Sequence, residues 1–530
     1  MKCEMSSMVS AVKEAYDRGE EDEALEPIVA VDKDGQPFGR IQDGDSVIFY
    51  DIRGEREIEI TESFVKKDFS QFPIQKDMDL NYVTMIEYSS SLDAKVAFPP
   101  EKRIKNTFVE VVTQAGLRLK KIAESEKAVH VGFFLNGKTE TVFSGEERTV
   151  IPSPQGVDNY ALTPEMSAGD VTEEIFQNLD NSAYDVIIAN LSNVDVVGHI
   201  EDRFAVLKAI ESVDRELGRI ADFCREKEIT LVVTADHGTV EEWLYPDGKI
   251  NTGHTKNLVP FILSDGSAKT HEKIKIKEKG ELADVAPTLL KLLDIHQPEE
   301  MTGESLLLSE LESPSAKRRL LLLILDGWGK RGEEYGNLIV EAKTPHFDKL
   351  WSRSPNALLD ASGEAVGMPP GTVGNSEAGH LHIGAGRRIL LDRVKIDKAI
   401  ENSQFFKNEA FLWAVGKSKN AGKALHLLGI VSHYSSHGTI EHLFALLRLA
   451  KESGLSQVYI HALIGRRGEK PESGAVYIGK VEDKCRAIGI GQVVTVMGRF
   501  WALDREENWD RVKKAYRALV FGDGKSVICS

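Results

Sequence analysis

Cysteine is nearly absent from this chain. Its 530 residues include four, Cys3, Cys224, Cys485 and Cys529, with no CxxC spacing among them. So sparse a set excludes a disulfide framework and a thiolate zinc site, and it fits a reducing compartment. Positive charge is also in short supply. There are 66 Lys and Arg against 83 Asp and Glu, a net charge of −17, which argues against a broad nucleic-acid or anionic-membrane surface. An anionic substrate would need a local basic cluster set against that background. Long hydrophobic runs are missing too: a stretch such as Leu320 to Leu325 is far too short to cross a bilayer. Residues Met1 to Glu23 are acidic and helical in pattern, with no apolar signal-peptide core. No repeat or low-complexity tract stands out. These absences predict a cytoplasmic protein with no nucleic-acid or membrane partner.

What is present suits a globular protein, with 42% hydrophobic and 28% charged residues, 44 Gly and 18 Pro. The length allows two or more domains. An amphipathic helix opens the chain, and a strand at Ser46 to Tyr50 leads into Asp51-Ile52-Arg53-Gly54-Glu55-Arg56. Ala97-Phe98-Pro99-Pro100 reads as a hinge. From about residue 106 short apolar strands (Asp185 to Ala189, Thr230 to Thr234, Leu320 to Leu325) alternate with helices, which predicts a largely parallel sheet. Phe204, Leu207, Ile210, Val213, Leu217, Ile220 and Cys224 mark one helix by their spacing. Residues 296–319, polar and proline-bearing, read as a surface linker. From about 391 a second α/β segment includes a helix from Thr439 to Lys451. Gly132 to Thr139 matches the phosphate-loop pattern GxxxxGK[ST], but its bulky apolar residues and its Asn136-Gly137 pair predict a β-hairpin instead.

Chemistry concentrates at Gly374-Asn375-Ser376-Glu377-Ala378-Gly379-His380, a glycine-flanked serine in a turn that leads into a helix. A serine hydroxyl is a weak nucleophile until a base or a metal activates it, and no histidine–acid pair at familiar triad spacing surrounds Ser376. Potential metal ligands do follow the strands. Asp195 and His199 are four apart on one helical face; Asp236 and His237 follow Thr234; His254 lies in Thr252-Gly253-His254-Thr255; Asp326 ends the run Leu320 to Leu325. Singly each reads as a solvated loop residue or a helix cap. Together at strand ends, where open α/β sheets bind ligands, they suit Mn²⁺, with Mg²⁺ or Zn²⁺ as alternatives.

These residues resemble the cofactor-independent phosphoglycerate mutases of the alkaline-phosphatase superfamily. The resemblance lies in ESEK (124–127), NVDVVGH (193–199), TADHG (234–238), GHTKNLVPFIL (253–263), DVAPTLL (284–290), EMTG (300–303), LDGWG (325–329), GNSEAGHLHIGAGR (374–387) and GRFWALDR (498–505). The family places LDGWG and GNSE before TADHG and EMTG; here the order is reversed, as in a circular permutant. Close surface termini make such a rearrangement tolerable. The resemblance implies an alkaline-phosphatase-like parallel-sheet domain at 106–390, and an α/β substrate-positioning domain split between 1–105 and 391–530. It implies two Mn²⁺, one held by Asp195, His199 and His254, the other by Asp236, His237, Asp326 and Ser376. Ser376 would carry the phosphoryl group between the 3- and 2-positions of phosphoglycerate, with Lys127 beside it and no 2,3-bisphosphoglycerate required. Arg53, Arg56, Arg467, Arg499, Arg505 and His437 would surround the substrate, and a monomer is expected.

Two stretches depart from the family. Its SDGGVHSH is Ser432 to Thr439 here, with His433 in place of the aspartate. Its DGRD is Gly465-Arg466-Arg467-Gly468, with Gly468 replacing an acid that contacts the glycerate hydroxyls. The alternative reading is therefore a metal-dependent phosphohydrolase or phosphotransferase acting on another small phosphorylated acid. A non-catalytic metabolite-binding relative is the third.

Overall fold

The computed structural model describes residues 7–76, 78–100, 103–157, 159–180, 183–265, 274–308, 319–433, 437–465 and 472–528. In chain order the strands are β1 (Ile28–Val31), β2 (Ser46–Phe49), β3 (Asn81–Ile86), β4 (Lys95–Phe98), β5 (Leu119–Glu124), β6 (Glu146–Ile151), β7 (Val186–Leu191) and β8 (Thr230–Thr234). There follow β9 (Val259–Ser264), β10 (Lys279–Glu281), β11 (Leu320–Leu325), β12 (Asn356–Asp360), β13 (Leu425–Ile430), β14 (Val458–Ile464), β15 (Gln492–Gly498) and β16 (Lys525–Ile528). They form two eight-stranded sheets in two compact units, residues 1–100 with 392–530, and residues 101–391.

The sheet of the 101–391 unit runs β10-β12-β9-β8-β11-β7-β5-β6. Only β9 is antiparallel to its neighbours; the pairs β8–β11, β11–β7, β7–β5 and β5–β6 are parallel. The all-aliphatic β11 explains its place at the centre, because a parallel strand covered on both faces needs no polar side, and all six of its residues are buried. Helix Arg203–Glu226 covers one face. Asp202 caps it, accepting from the amides of Phe204 and Ala205, and Ile210, Val213, Leu217, Ile220 and Cys224 form its buried stripe. Phe204, expected in that stripe, is 76% exposed, because it sits in the first turn, one residue before the stripe begins at Ala205.

The other unit orders its sheet β16-β1-β15-β14-β13-β2-β3-β4, parallel except between β1 and β15. The N-terminal helix Ser7–Asp17 buries Met8, Ala11, Val12 and Ala15, and the expected C-terminal helix is present as Ile440–Glu452, capped by Thr439. Two expectations change. Residues 130–134 form a π-helical turn rather than a hairpin strand: Leu135 N donates to His130 O at 3.1 Å, so the backbone is satisfied within the turn rather than across a pair of strands. Of the stretch expected as a surface linker, 309–318 lies outside the described residues. The part before it is packed, with Met301, Leu306 and Leu307 buried and Gly303 N donating to Gly386 O at 2.9 Å. No helix among the described residues is long and apolar enough to cross a membrane.

Candidate active site

Four adjacent parallel strands end at one place. Beyond β5 a single turn carries Lys127; beyond β7 the helix Asn193–Gly198 carries Asp195, with His199 at its C-terminus; beyond β8 come Asp236 and His237; beyond β11 comes Asp326. The strands sit close enough at that edge that Gly327 tolerates no side chain: a Cβ there would lie 2.9 Å from the Asp195 backbone, and its φ of +78° favours glycine. Helix Ser376–Ala385 closes the site from the other side. Asn375 caps it by accepting from Ala378 N at 2.8 Å, which fixes Ser376 in the first turn. Gly379 lets that helix approach, since a Cβ would lie 2.4 Å from the Asp236 carbonyl oxygen.

At the centre, Lys127 Nζ donates to Asp195 Oδ2 at 2.6 Å, to Asp326 Oδ1 at 2.7 Å and to Ser376 Oγ at 2.7 Å. His237 Nε2 lies 2.9 Å from the same hydroxyl, and its ring stacks on His254 with centroids 3.8 Å apart. His254 and His199 both turn Nε2 toward Asp195 Oδ1, at 3.2 and 3.3 Å, while their Nδ1 atoms donate to the carbonyls of Gly374 (2.9 Å) and Thr252 (2.7 Å). Those donations fix the tautomer and leave Nε2 as the ligating nitrogen. Asp195, Asp236, Asp326, Lys127, His237 and Ser376 are buried, whereas the side chain of His199 is 45% exposed.

Burial alone would strip charge from such a cluster. Burial pulls Lys127 down, but Asp326, Asp195 and Asp236 outweigh it and hold the ammonium above its ordinary range. Burial raises Asp195 and Asp236, yet Lys127 and His237 keep Asp195 well below the usual carboxylate range, and His237 with His380 does the same for Asp236. Asp326 takes the cost: burial and the Asp236 charge push it up. The hydrogen bond to Asp195 raises His199, and for His254 Asp195 overcomes the opposing effect of burial.

The structure thus brings together Ser376, Lys127, Asp195, His199, Asp236, His237, His254 and Asp326. In the other unit Arg53 and Arg505 both donate to Glu55 Oε1, at 2.8 and 2.9 Å, while Arg56 donates to Leu503 O at 3.1 Å and Arg499 to Glu23 at 2.8 Å. Burial and the like charges of Arg505, Arg53 and Arg499 push Arg56 below its ordinary range, so the four arginines lie near one another, with Glu55 and Glu23 among them. His437 is in the same unit, buried and bonded to Glu57. Arg467 lies outside the described residues, as does Gly468.

Sequence reasoning missed two supporting side chains. His380 Nδ1 donates to Ser376 O at 2.9 Å, and its Nε2 accepts from Asn190, whose amide also donates to Asp326 Oδ2 at 2.7 Å. The spacing of four between Ser376 and His380 on one helix was the available signal. Asn190 is inside β7 and gave none.

A family model described as the Metalloenzyme superfamily matches residues 23–297, just over half of the chain. The chain belongs to the Metalloenzyme superfamily. A second model, for the N-terminal part of the BPG-independent phosphoglycerate mutases, matches residues 396–529 of this metalloenzyme. Among similar proteins, a 2,3-bisphosphoglycerate-independent phosphoglycerate mutase 1 of Methanosarcina barkeri is 44% identical over 300 residues, 56% of this chain and 57% of that protein. A 2,3-bisphosphoglycerate-independent phosphoglycerate mutase of Moorella thermoacetica is 43% identical over 303 residues, 57% of each. The chain therefore spans little more than half the length of the curated relatives it matches. A solved Leishmania mexicana phosphoglycerate mutase, crystallised at low cobalt concentration, covers 53% of each chain at 26% identity and a TM-score of 0.37.

The donor set of this metalloenzyme fits a divalent cation. His380 Nδ1 lies 3.2 Å from Asp236 Oδ2 and 2.9 Å from the Ser376 carbonyl, so one proton serves two acceptors and that fully buried carboxylate oxygen is left short of a donor. Three buried carboxylates face one ammonium. Oxygen and imidazole donors without thiolates are the ligands that Mn²⁺ and its hard neighbours prefer. Asp195, His237 and His254 converge in one group, and Asp236, Asp326 and His380 in another.

Proposed function

We propose that this protein interconverts 3-phosphoglycerate and 2-phosphoglycerate through a phosphoserine on Ser376, with two divalent metal ions, Mn²⁺ foremost. The observation that carries this reading is Ser376 Oγ, 2.7 Å from Lys127 Nζ and 2.9 Å from His237 Nε2 beside three buried aspartates. Asp195, His199 and His254 would hold one ion, and Asp236, His237, Asp326 and Ser376 the other. Such ions, when bound, lower the pKa of a coordinated hydroxyl and neutralise phosphoryl charge.

The chain's own groups do the rest. Oγ of Ser376 attacks phosphorus, the bond from phosphorus to the glycerate 3-oxygen breaks, and that oxygen takes a proton. Lys127 Nζ donates to Oγ and stabilises the alkoxide before attack and after departure. In the return step the 2-oxygen attacks phosphorus, loses its proton and releases Oγ. Arg53, Arg56, Arg499 and Arg505 pair with the carboxylate and phosphate of the substrate, for which the planar fork of arginine is suited; Arg467 is assigned to the same group. The metalloenzyme unit 101–391 carries the phosphoryl chemistry, and the unit of 1–100 with 392–530 carries substrate positioning. We further infer that the chain is a circular permutant. Support comes from the match of an N-terminal family model to residues 396–529. It also comes from the N-terminal helix lying beside β16, with Lys525 Nζ 3.7 Å from Glu14 Oε2.

The test is ³¹P NMR of the Mn²⁺-loaded protein with 3-phosphoglycerate. A 2-phosphoglycerate signal that disappears in Ser376→Ala is expected. Inorganic phosphate without 2-phosphoglycerate would instead favour the phosphohydrolase reading that Gly468 and His433 motivate.

A further inference from the structure

Two of the loops that carry candidate metal ligands are tied together by a side chain that belongs to neither ligand group. Glu241 lies in the single turn Val240–Glu242, four residues beyond His237, and is fully buried. Its Oε2 accepts the Thr239 amide at 2.9 Å. Its Oε1 accepts the Thr255 hydroxyl and, at 3.0 Å, the side-chain amide of Asn257. Thr255 directly follows His254, and its own amide donates to Gly238 O at 3.0 Å. One carboxylate therefore closes the loop of Asp236 and His237 onto the loop of His254. An ionised carboxylate accepts at both oxygens and donates nothing, which is what three converging donors require.

Two glycines make room for it. A Cβ at Gly238 would lie 2.3 Å from Glu241 Oε1, and one at Gly329, in the loop that follows Asp326, 2.1 Å from its Cδ. Neither glycine has a positive φ, so what they supply is space for the carboxylate rather than backbone freedom.

The tie reaches the ligands themselves. Thr239, whose amide Glu241 fixes, donates its hydroxyl to Asp195 Oδ1 at 3.3 Å and has His237 Nδ1 3.3 Å away. Nδ1 also faces the Gly238 carbonyl at 3.3 Å. With acceptors on that side, Nδ1 keeps the proton and Nε2 is left as the ligating nitrogen. The rings of His237 and His254 stack with centroids 3.8 Å apart, which requires the two loops to keep one register.

We propose that Glu241 is a positioning residue of the metal centre: by tying Thr239 to Thr255 it holds the imidazoles of His237 and His254 in place for a divalent cation. Ligands ordered in advance lose less freedom when the ion binds. The inference rests on the metal part of the reading above and does not depend on the substrate.

The test uses the full-length protein with Mn²⁺ alone. Free Mn²⁺ is read by electron paramagnetic resonance, and the melting temperature is read without metal. In Glu241→Gln the one oxygen serves the Thr239 amide, and the NH₂ meets the Asn257 amide donor against donor. Mn²⁺ should then bind about 10–100-fold more weakly than to wild type. Thr255→Val, which keeps the shape and removes the hydroxyl, should weaken Mn²⁺ in the same direction, and Thr255→Ser should restore it. Should Glu241→Gln not fold, the Thr255 pair is read instead. A lower metal-free melting temperature with unchanged Mn²⁺ affinity would reduce Glu241 to a folding role. That result, or wild-type affinity in Glu241→Gln or Thr255→Val, overturns the proposal and leaves the metal reading intact. A wild-type protein that binds no Mn²⁺ overturns the metal reading and the proposal with it.

Discussion

At the scale of single residues the centre is a charge problem. Lys127 is the one ammonium that the three buried aspartates share. Removing one partner of a buried charge group leaves the rest uncompensated, at a cost of about 3–5 kcal/mol. Lys127→Met should therefore lower the melting temperature in EDTA, and Mn²⁺ should restore most of the loss; a variant as stable as wild type in EDTA would contradict the charge argument. Asp326→Asn acts with the opposite sign. Burial and the charge of Asp236 push the Asp326 carboxyl up, so its charge costs stability that the amide does not. The metal-free variant should melt a few degrees higher than wild type while binding Mn²⁺ more weakly. Calorimetry with and without Mn²⁺ checks both.

At the scale of elements, helix Ser376–Ala385 is the part whose placement decides the site. Gly379→Ala puts a methyl 2.4 Å from the Asp236 carbonyl, so the helix must back away and carry Ser376 with it. Stability should fall by about 1–3 kcal/mol, as overpacking does, and activity more steeply than stability. An active, fully stable Gly379→Ala would show that the helix has slack. The same helix carries a pH dependence. His382 is buried, with Nδ1 donating to Ala378 O at 2.7 Å and Nε2 accepting from Ile389 N at 2.9 Å, and burial lowers it to about 4. The unfolded histidine, near 6.5, binds a proton that the folded one refuses, so stability from this group is complete above about 6.5 and declines toward pH 4. The stability gap between wild type and His382→Gln should thus narrow between pH 6.5 and 4; a constant gap would place the pH dependence elsewhere. The clustering of Ser376 with Asp195, His199, Asp236, His237, His254 and Asp326 was legible because most of these follow a strand or open a helix in a short recognisable stretch. Asn190 was not, since its role consists of a hydrogen bond to a residue 136 positions away. The hairpin expected at Asn136-Gly137 failed because the residues before that pair bond within a helical turn, Leu135 N to His130 O, and leave no strand for the turn to join.

At the scale of the whole molecule the chain leaves one sheet after β4, builds a second from β5 to β12 and returns to the first with β13. Any chain in which one domain interrupts another runs this way, and the course agrees with the permutation we propose. Joining residue 530 to residue 1 through a short linker, and opening the chain within 309–318, should give a protein with activity within about threefold of the original if the permutation we propose is right. An insoluble product would argue that the present order is needed for folding. The alternation of texture near 106 and 391 was readable from composition and strand spacing. The pairing of β1 with β15 and β16 was not, because sequence carries no direct mark of contacts almost 500 residues apart.

The central claim is that Ser376 carries the phosphoryl group. Protein loaded with Mn²⁺ is mixed with 3-phosphoglycerate, quenched in acid within milliseconds and digested, and the peptide containing Ser376 is weighed. A phosphoryl group on Ser376 that forms only with metal, and at a rate no slower than turnover, is the expected result. Isomerisation that proceeds with Ser376 unmodified, or with the phosphoryl group on another residue, would contradict it.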